Sequence, residues 1–181
     1  METREPEIPL KKQIKEYVKK LPHRIMTNRW NQQTWEENCN FRRIHEHIKC
    51  IYCCPMMIAK EIPKDTTLFV LEMNNDTNKI MGIGLIRNRH VMNKYMVYEN
   101  DRYNRFVYVS KTHISRESMT EEEEEIMKIL DKMCFHGNTH LKRGQGIKSF
   151  PPKMLYSMLE KIDLVEFMVN MFRSRQSSKT I

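Results

Sequence analysis

The stretch HGNTHLKRGQG, residues 136–146, holds the residue types best suited to chemistry in this chain. Glycine tolerates positive φ and close backbone approach. Gly144, Gln145 and Gly146 can therefore turn main-chain N–H groups towards a phosphate, with Lys142, Arg143 and Lys148 supplying charge. Gln145 and Asn138 carry amides of the kind that read a base edge. The stretch is no Walker loop, because the Gly-Lys-Ser/Thr element is missing. A second pair, Gly82 and Gly84, is spaced by two and so faces one side of a strand, leaving it bare for a ligand or a neighbouring element. All five glycines lie in two stretches without an acidic residue, 77–98 and 132–159, and Arg87 and Arg89 belong to the first. The expected phosphate contacts are Arg87, Arg89, Lys142, Arg143 and Lys148, with Gly144, Gln145 and Gly146 beside them.

Three other constellations carry possible chemistry. Trp30 and Trp35, with Tyr98, Tyr103, Phe106 and Tyr108, can build an aromatic cage for an unpaired base. Trp30, Trp35 and Tyr108 are its expected walls, and Asn28, Asn31 and Asn38 add hydrogen-bonding groups near the tryptophans. Cys50 and Cys53 have zinc-ligand spacing, and His47 stands one helical turn before Cys50; without a second paired half, buried thiols explain the same residues. His136 and His140 are of the type that acts as a general base, yet no partner is fixed for either. The primary expectation is binding without catalysis and without a cofactor. The alternatives are a structural zinc at His47, Cys50 and Cys53, and a nucleic-acid processing enzyme built on His136 and His140.

The elements that must position these residues follow from pattern. Residues 10–21 place Leu10, Ile14, Tyr17, Val18 and Leu21 on one helical face, and Pro22 stops the helix. Thr34, with Glu37 three residues on, reads as a capping box opening a helix over 35–49. Residues 66–73 and 79–87 read as a β-hairpin across the turn at 74–78. Residues 95–98 and 105–110 read as further strands. Thr120 caps a helix whose first turns hold the five glutamates 121–125, where the helix dipole favours negative charge. Pro151 and Pro152 open a final helix with an apolar stripe from Met154 to Met168.

With 181 residues, 40% of them hydrophobic, the chain has the size and core of one domain. Residues 1–9 read as a disordered lead, 10–172 as one domain with its β core at about 55–115 and helices at 120–172, and 173–181 as a flexible tail. The net charge of +8 predicts anionic partners. No apolar run approaches the roughly 20 residues of a membrane helix, and METREPEIPLKK lacks the pattern of a signal peptide. Five cysteines, an odd number, read as reduced thiols in a cytoplasmic setting.

Pro63, Asp65, residues 68–72, Ile80, Gly82, Gly84 and a later strand at 105–110 resemble the PUA-like superfamily, in the style of EVE, ASCH and YTH-type domains. The stretch CFHGNTHLKRGQGIKSFPP resembles a segment of proteins from large DNA viruses. The PUA-like resemblance spans roughly residues 55–115. It implies an α+β fold with a small barrel of about five strands between N- and C-terminal helices, and recognition of RNA or of a modified base without chemistry. A virion-associated protein that neutralises nucleic acid with its basic surface is the alternative.

Overall fold

The computed structural model describes residues 8–177. Helix α1 (Leu10–Lys20) follows Pro9, and none of its residues is fully buried. It lies as a cover on a later helix, with Tyr17 edge-on to Tyr156 at 5.5 Å and the Tyr156 hydroxyl donating to Gln13 at 2.9 Å. Pro22 then turns the chain into β1 (His23–Trp30).

Helix α2 (Gln32–Ile44), β2 (Cys50–Cys54) and a loop separate β1 from β3 (Thr67–Asn74), which leaves room for the crossover that parallel pairing demands. Strands β3 and β4 (Lys79–Arg87) form the expected hairpin, with a register shift between Leu71 and Met73. After β5 (Phe106–Ser110) and β6 (His113–Ser115) come α3 (Glu121–Phe135), β7 (Lys148–Ser149), α4 (Pro152–Met158) and α5 (Leu164–Ser177).

Among the described residues, the strands form a five-stranded mixed sheet in the order β6-β4-β3-β1-β7 and a separate β2-β5 ribbon. The fold is α+β, but the expected closed barrel is not there. The sheet ends at two very short strands, and its missing wall is supplied by the ribbon packed against one face. That face buries Met26, Trp30, Leu68, Val70 and Ile86 against Ile51, Tyr52, Val107 and Tyr108. The opposite face buries Ile25, Phe69, Leu71 and Ile83 against Met127, Leu130, Leu155, Met168 and Phe172 of α3, α4 and α5. Three layers result, each apolar face covered by another.

Several boundaries differ from the sequence reading, each for a local reason. Asn31, not Thr34, caps α2: its side chain accepts from the Thr34 amide at 2.8 Å. Residues 95–98 form no strand, because Asn104 replaces a ladder by accepting from the Val97 and Tyr98 amides, each at 3.1 Å, and donating to the Tyr98 carbonyl at 2.7 Å. The single expected C-terminal helix is broken between Met158 and Leu164, where Asp163 accepts from the Val165 and Glu166 amides and restarts it. Helix α5 runs on through Arg173 to Ser177, so this part of the expected tail is helical, and Arg175 there pairs with Glu123 at 2.6 Å. The expected lead falls largely on residues 1–7, and the tail ends on 178–181, both outside the described residues. No helix among the described residues is long and apolar enough to cross a membrane.

Candidate functional site

Strand β1 runs between β3, which pairs along its whole length, and β7, which pairs only with Met26 and Thr27. Trp30, 3% exposed, points into the ribbon-side core, and its indole N–H donates to the Tyr98 hydroxyl at 2.6 Å. Asn38 of α2 donates to the same hydroxyl at 3.0 Å. Burial pushes the Tyr98 phenol far up, so it stays protonated while it accepts both bonds.

The glycine loop arrives over this end of the sheet. Lys148 and Ser149 pair antiparallel with Thr27 and Met26, which anchors the loop's exit. Its entry is held by Asn75, whose amide donates to the Lys142 carbonyl at 2.9 Å, and by Arg29, whose Nε donates to the Leu141 carbonyl. Gly144 and Gly146 adopt φ of +110° and +70°, in the region that favours glycine. The Cβ that Gly144 lacks would meet open space, so its conformation, not crowding, selects glycine there.

Gly144, Gln145 and Gly146 thereby close over Asn28, Trp30, Asn75, Tyr98 and Tyr103 to form a cleft of about 170 Å³. Among the described residues, three polar groups of its lining make no hydrogen bond. Asn28 is 4% exposed and its side-chain amide makes no hydrogen bond among the described residues. Asn75 Oδ1 and Arg29 Nη1 are buried and unpaired. Burial lowers the Arg29 guanidinium pKa, with nearby Cys134 opposing. Buried polar groups are paired in the great majority of cases, and Asn75 Oδ1 and Arg29 Nη1 are two exceptions at this cleft. A pocket below the usual 300 Å³ of small-molecule sites suits one heterocycle better than a large cofactor.

Of the sequence-nominated residues, Asn28, Trp30, Asn31, Tyr98, Tyr103, Gly144, Gln145 and Gly146 meet here. Trp35 does not join them: it packs edge-on to Trp30 at 5.3 Å and presents its ring to Arg42, 5.2 Å away, in a different hollow. Tyr108, on the ribbon strand β5, is buried in the core, its hydroxyl accepting from the Ile58 amide at 3.1 Å. Arg87 ends β4 opposite Thr67, whereas Lys142 donates to Asn78 at 2.8 Å beside the turn at the other end of the hairpin. The length of β4 separates them by about 25 Å. Arg89 is engaged with Asp65 at 2.7 Å. Arg143 and Lys148 remain exposed on the loop and its strand.

The expected histidine and cysteine sites do not assemble either. Cys50 and Cys53 are three apart on β2, so they point to opposite faces of a buried strand, while His47 is exposed. No group of three His, Cys, Asp or Glu among the described residues is arranged to hold a metal. His136 ends α3 in solvent, and the His140 ring accepts from the Lys142 amide at 3.3 Å; neither lines the cleft.

Gly82 and Gly84 serve a separate buried centre that sequence reading missed. Glu72, with no exposed surface, accepts from the Tyr52 hydroxyl at 2.9 Å. His113 Nε2 lies 2.9 Å from its other oxygen, and Arg42 Nη1 lies 3.4 Å from the oxygen that Tyr52 bonds. Burial raises the Glu72 carboxyl pKa, but Arg42, His113 and Tyr52 outweigh it and hold it at about 2. A Cβ on Gly84 would stand 1.9 Å from the Tyr52 hydroxyl, and one on Gly82 2.8 Å from His113 Nε2. Bare backbone at these two positions is what lets both side chains reach the carboxylate. The two glycine stretches therefore serve two centres, not one shared site.

Asn28, Asn75, Tyr98 and Tyr103 complete the cleft, and of these Asn75 alone was not read from sequence as part of an aromatic pocket. Asn28 carried one available signal, its place two residues before Trp30. Comparison with protein-family models, with curated proteins and with solved structures finds no match.

Proposed function

We propose that this chain is a non-catalytic nucleic-acid binding protein that receives one unpaired base in the cleft between the end of β1 and the glycine loop. The observation that carries the reading is the unpaired amide of Asn28, which lines a heterocycle-sized cleft together with Asn75. An amide offers a donor and an acceptor side by side, the pattern that matches a base edge. Half-buried Tyr103 at the mouth supplies a ring for stacking, and Gln145 is exposed beside it without a side-chain hydrogen bond among the described residues. A mixed sheet with a central hairpin is compatible with an opened PUA-like arrangement, in which the β2-β5 ribbon takes the place of the barrel's remaining wall. The net charge of +8 favours a polyanionic ligand over a neutral nucleoside.

Fluorescence anisotropy with short labelled single strands tests this. Tyr103→Ala and Gln145→Ala are each expected to weaken binding about tenfold, the range of one lost stacking or base-edge contact, with unchanged melting temperature. Wild-type affinity in both variants would remove the cleft from the binding surface and leave charge alone as the basis of any binding.

A further inference from the structure

At Tyr103 the cleft adjoins two hollows of opposite charge. One, about 650 Å³, shares Pro55, Tyr103 and Gln145 with the cleft and carries Lys94, Arg102 and Arg105 against one acid, Asp101. Among the described residues these three cations form no ion pair and no side-chain hydrogen bond; the Arg105 guanidinium lies over the Phe106 ring at 5.2 Å. The other hollow, about 330 Å³, carries Glu37 and Glu99 and no cation. A phosphodiester chain is drawn to the first and repelled from the second.

The cationic side is also held in a fixed relation to the cleft. Arg102 sits in a single 3-10 turn, Asp101–Asn104, whose start is pinned by the Asn100 side chain accepting from the Arg102 amide at 3.2 Å. Its last residue, Asn104, is the buried side chain that holds Val97 and Tyr98. One clamp thus sets both the cleft wall and the turn that presents the cations. Exposed Met96 lines the same hollow and offers a soft apolar surface to a neighbouring base.

We infer that the Lys94, Arg102 and Arg105 hollow is the backbone subsite for a single-stranded nucleic acid, the strand leaving the cleft past Tyr103 and Gln145 and avoiding Glu37 and Glu99. The inference rests on the base-binding reading of the cleft. It assigns the main phosphate contacts to three residues outside the glycine loop, and it excludes an intact duplex, whose bases stay stacked and paired out of the cleft's reach.

The test is anisotropy across a salt series with RNA and DNA strands of one sequence, read on whichever binds more tightly. A Lys94→Ala/Arg102→Ala/Arg105→Ala variant should bind at least about tenfold more weakly. Its plot of log affinity against log salt should be shallower by about 2, since each single-strand phosphate contact contributes about 0.7. Glu37→Gln/Glu99→Gln should bind as tightly as wild type or more so, and melting curves confirm that both variants fold. Wild-type affinity and slope in the triple variant, with Tyr103→Ala still weakening binding, overturns the backbone subsite and leaves the base reading standing. Equal binding by all variants overturns both. A loss in the glutamate variant as large as in the triple variant overturns the direction of the strand.

Discussion

Glu72 and Asn28 face each other across the β1–β3 ladder, yet they occupy opposite electrostatic situations. The carboxylate is surrounded by donors, whereas the amide has none. The Glu72 centre accordingly governs stability. Its folded pKa of about 2 lies below the ordinary 4.5, so its stabilisation is complete above about pH 4.5 and is lost as pH falls towards 2. A shift of that size corresponds to roughly 3 kcal/mol. Acid titration of the melting temperature is expected to show this limb in the wild type. Glu72→Gln should flatten it and lower the melting temperature at neutral pH, because Arg42 is then left buried without its counter-charge. An unchanged acid limb in Glu72→Gln would show that other carboxylates carry it.

At the scale of elements, the acidic start of α3 illustrates a pattern that local chemistry settles. Thr120 Oγ1 accepts from the Glu123 amide at 3.2 Å, and the Glu123 carboxylate accepts from the Thr120 amide at 2.9 Å, closing a capping box. Glu123 also receives Arg175 from α5, which couples the cap to the last helix. Thr120→Ala is expected to cost about 1 kcal/mol, read as a lower urea midpoint with an unchanged slope. Strands β1 and β2 behaved differently. In β1, Thr27 and Asn28 are as buried as the apolar residues around them, so no alternation announces a strand. In β2 every residue is buried, and the cysteines that suggested metal ligation are core packing.

Across the whole molecule, charge is divided between the two ends of the sheet. Arg87 and Arg89 stand at the end away from the cleft, where Arg87 Nη1 donates to the Asp65 carbonyl at 3.1 Å and Arg89 pairs with the Asp65 carboxylate. Arg87→Ala/Arg89→Ala should therefore leave single-strand affinity within about twofold of wild type at moderate salt, since exposed charges beyond a Debye length are screened. A tenfold loss in the same anisotropy measurement would mean that the strand continues around the sheet to that end.

The hairpin of β3 and β4, the capped α3 and amphipathic α1 were legible in the chain because each is specified by neighbours within a few residues: turn chemistry, a cap, a helical stripe. The loop with Gly144 and Gly146 was legible as a glycine-shaped turn for the same reason. Which of the nominated residues share a site with that loop was not, because that depends on which strands lie side by side. The parallel β1–β3 pairing sets Trp30 beside Asn74, and Asn104 brings Tyr98 to them from far along the chain. Tertiary structure alone sent Arg87 away from Lys142, turned Tyr108 of the ribbon into the core, and left the Asn28 side chain without a hydrogen bond among the described residues. Local sequence fixes the conformation of a segment, but long-range pairing fixes what it faces.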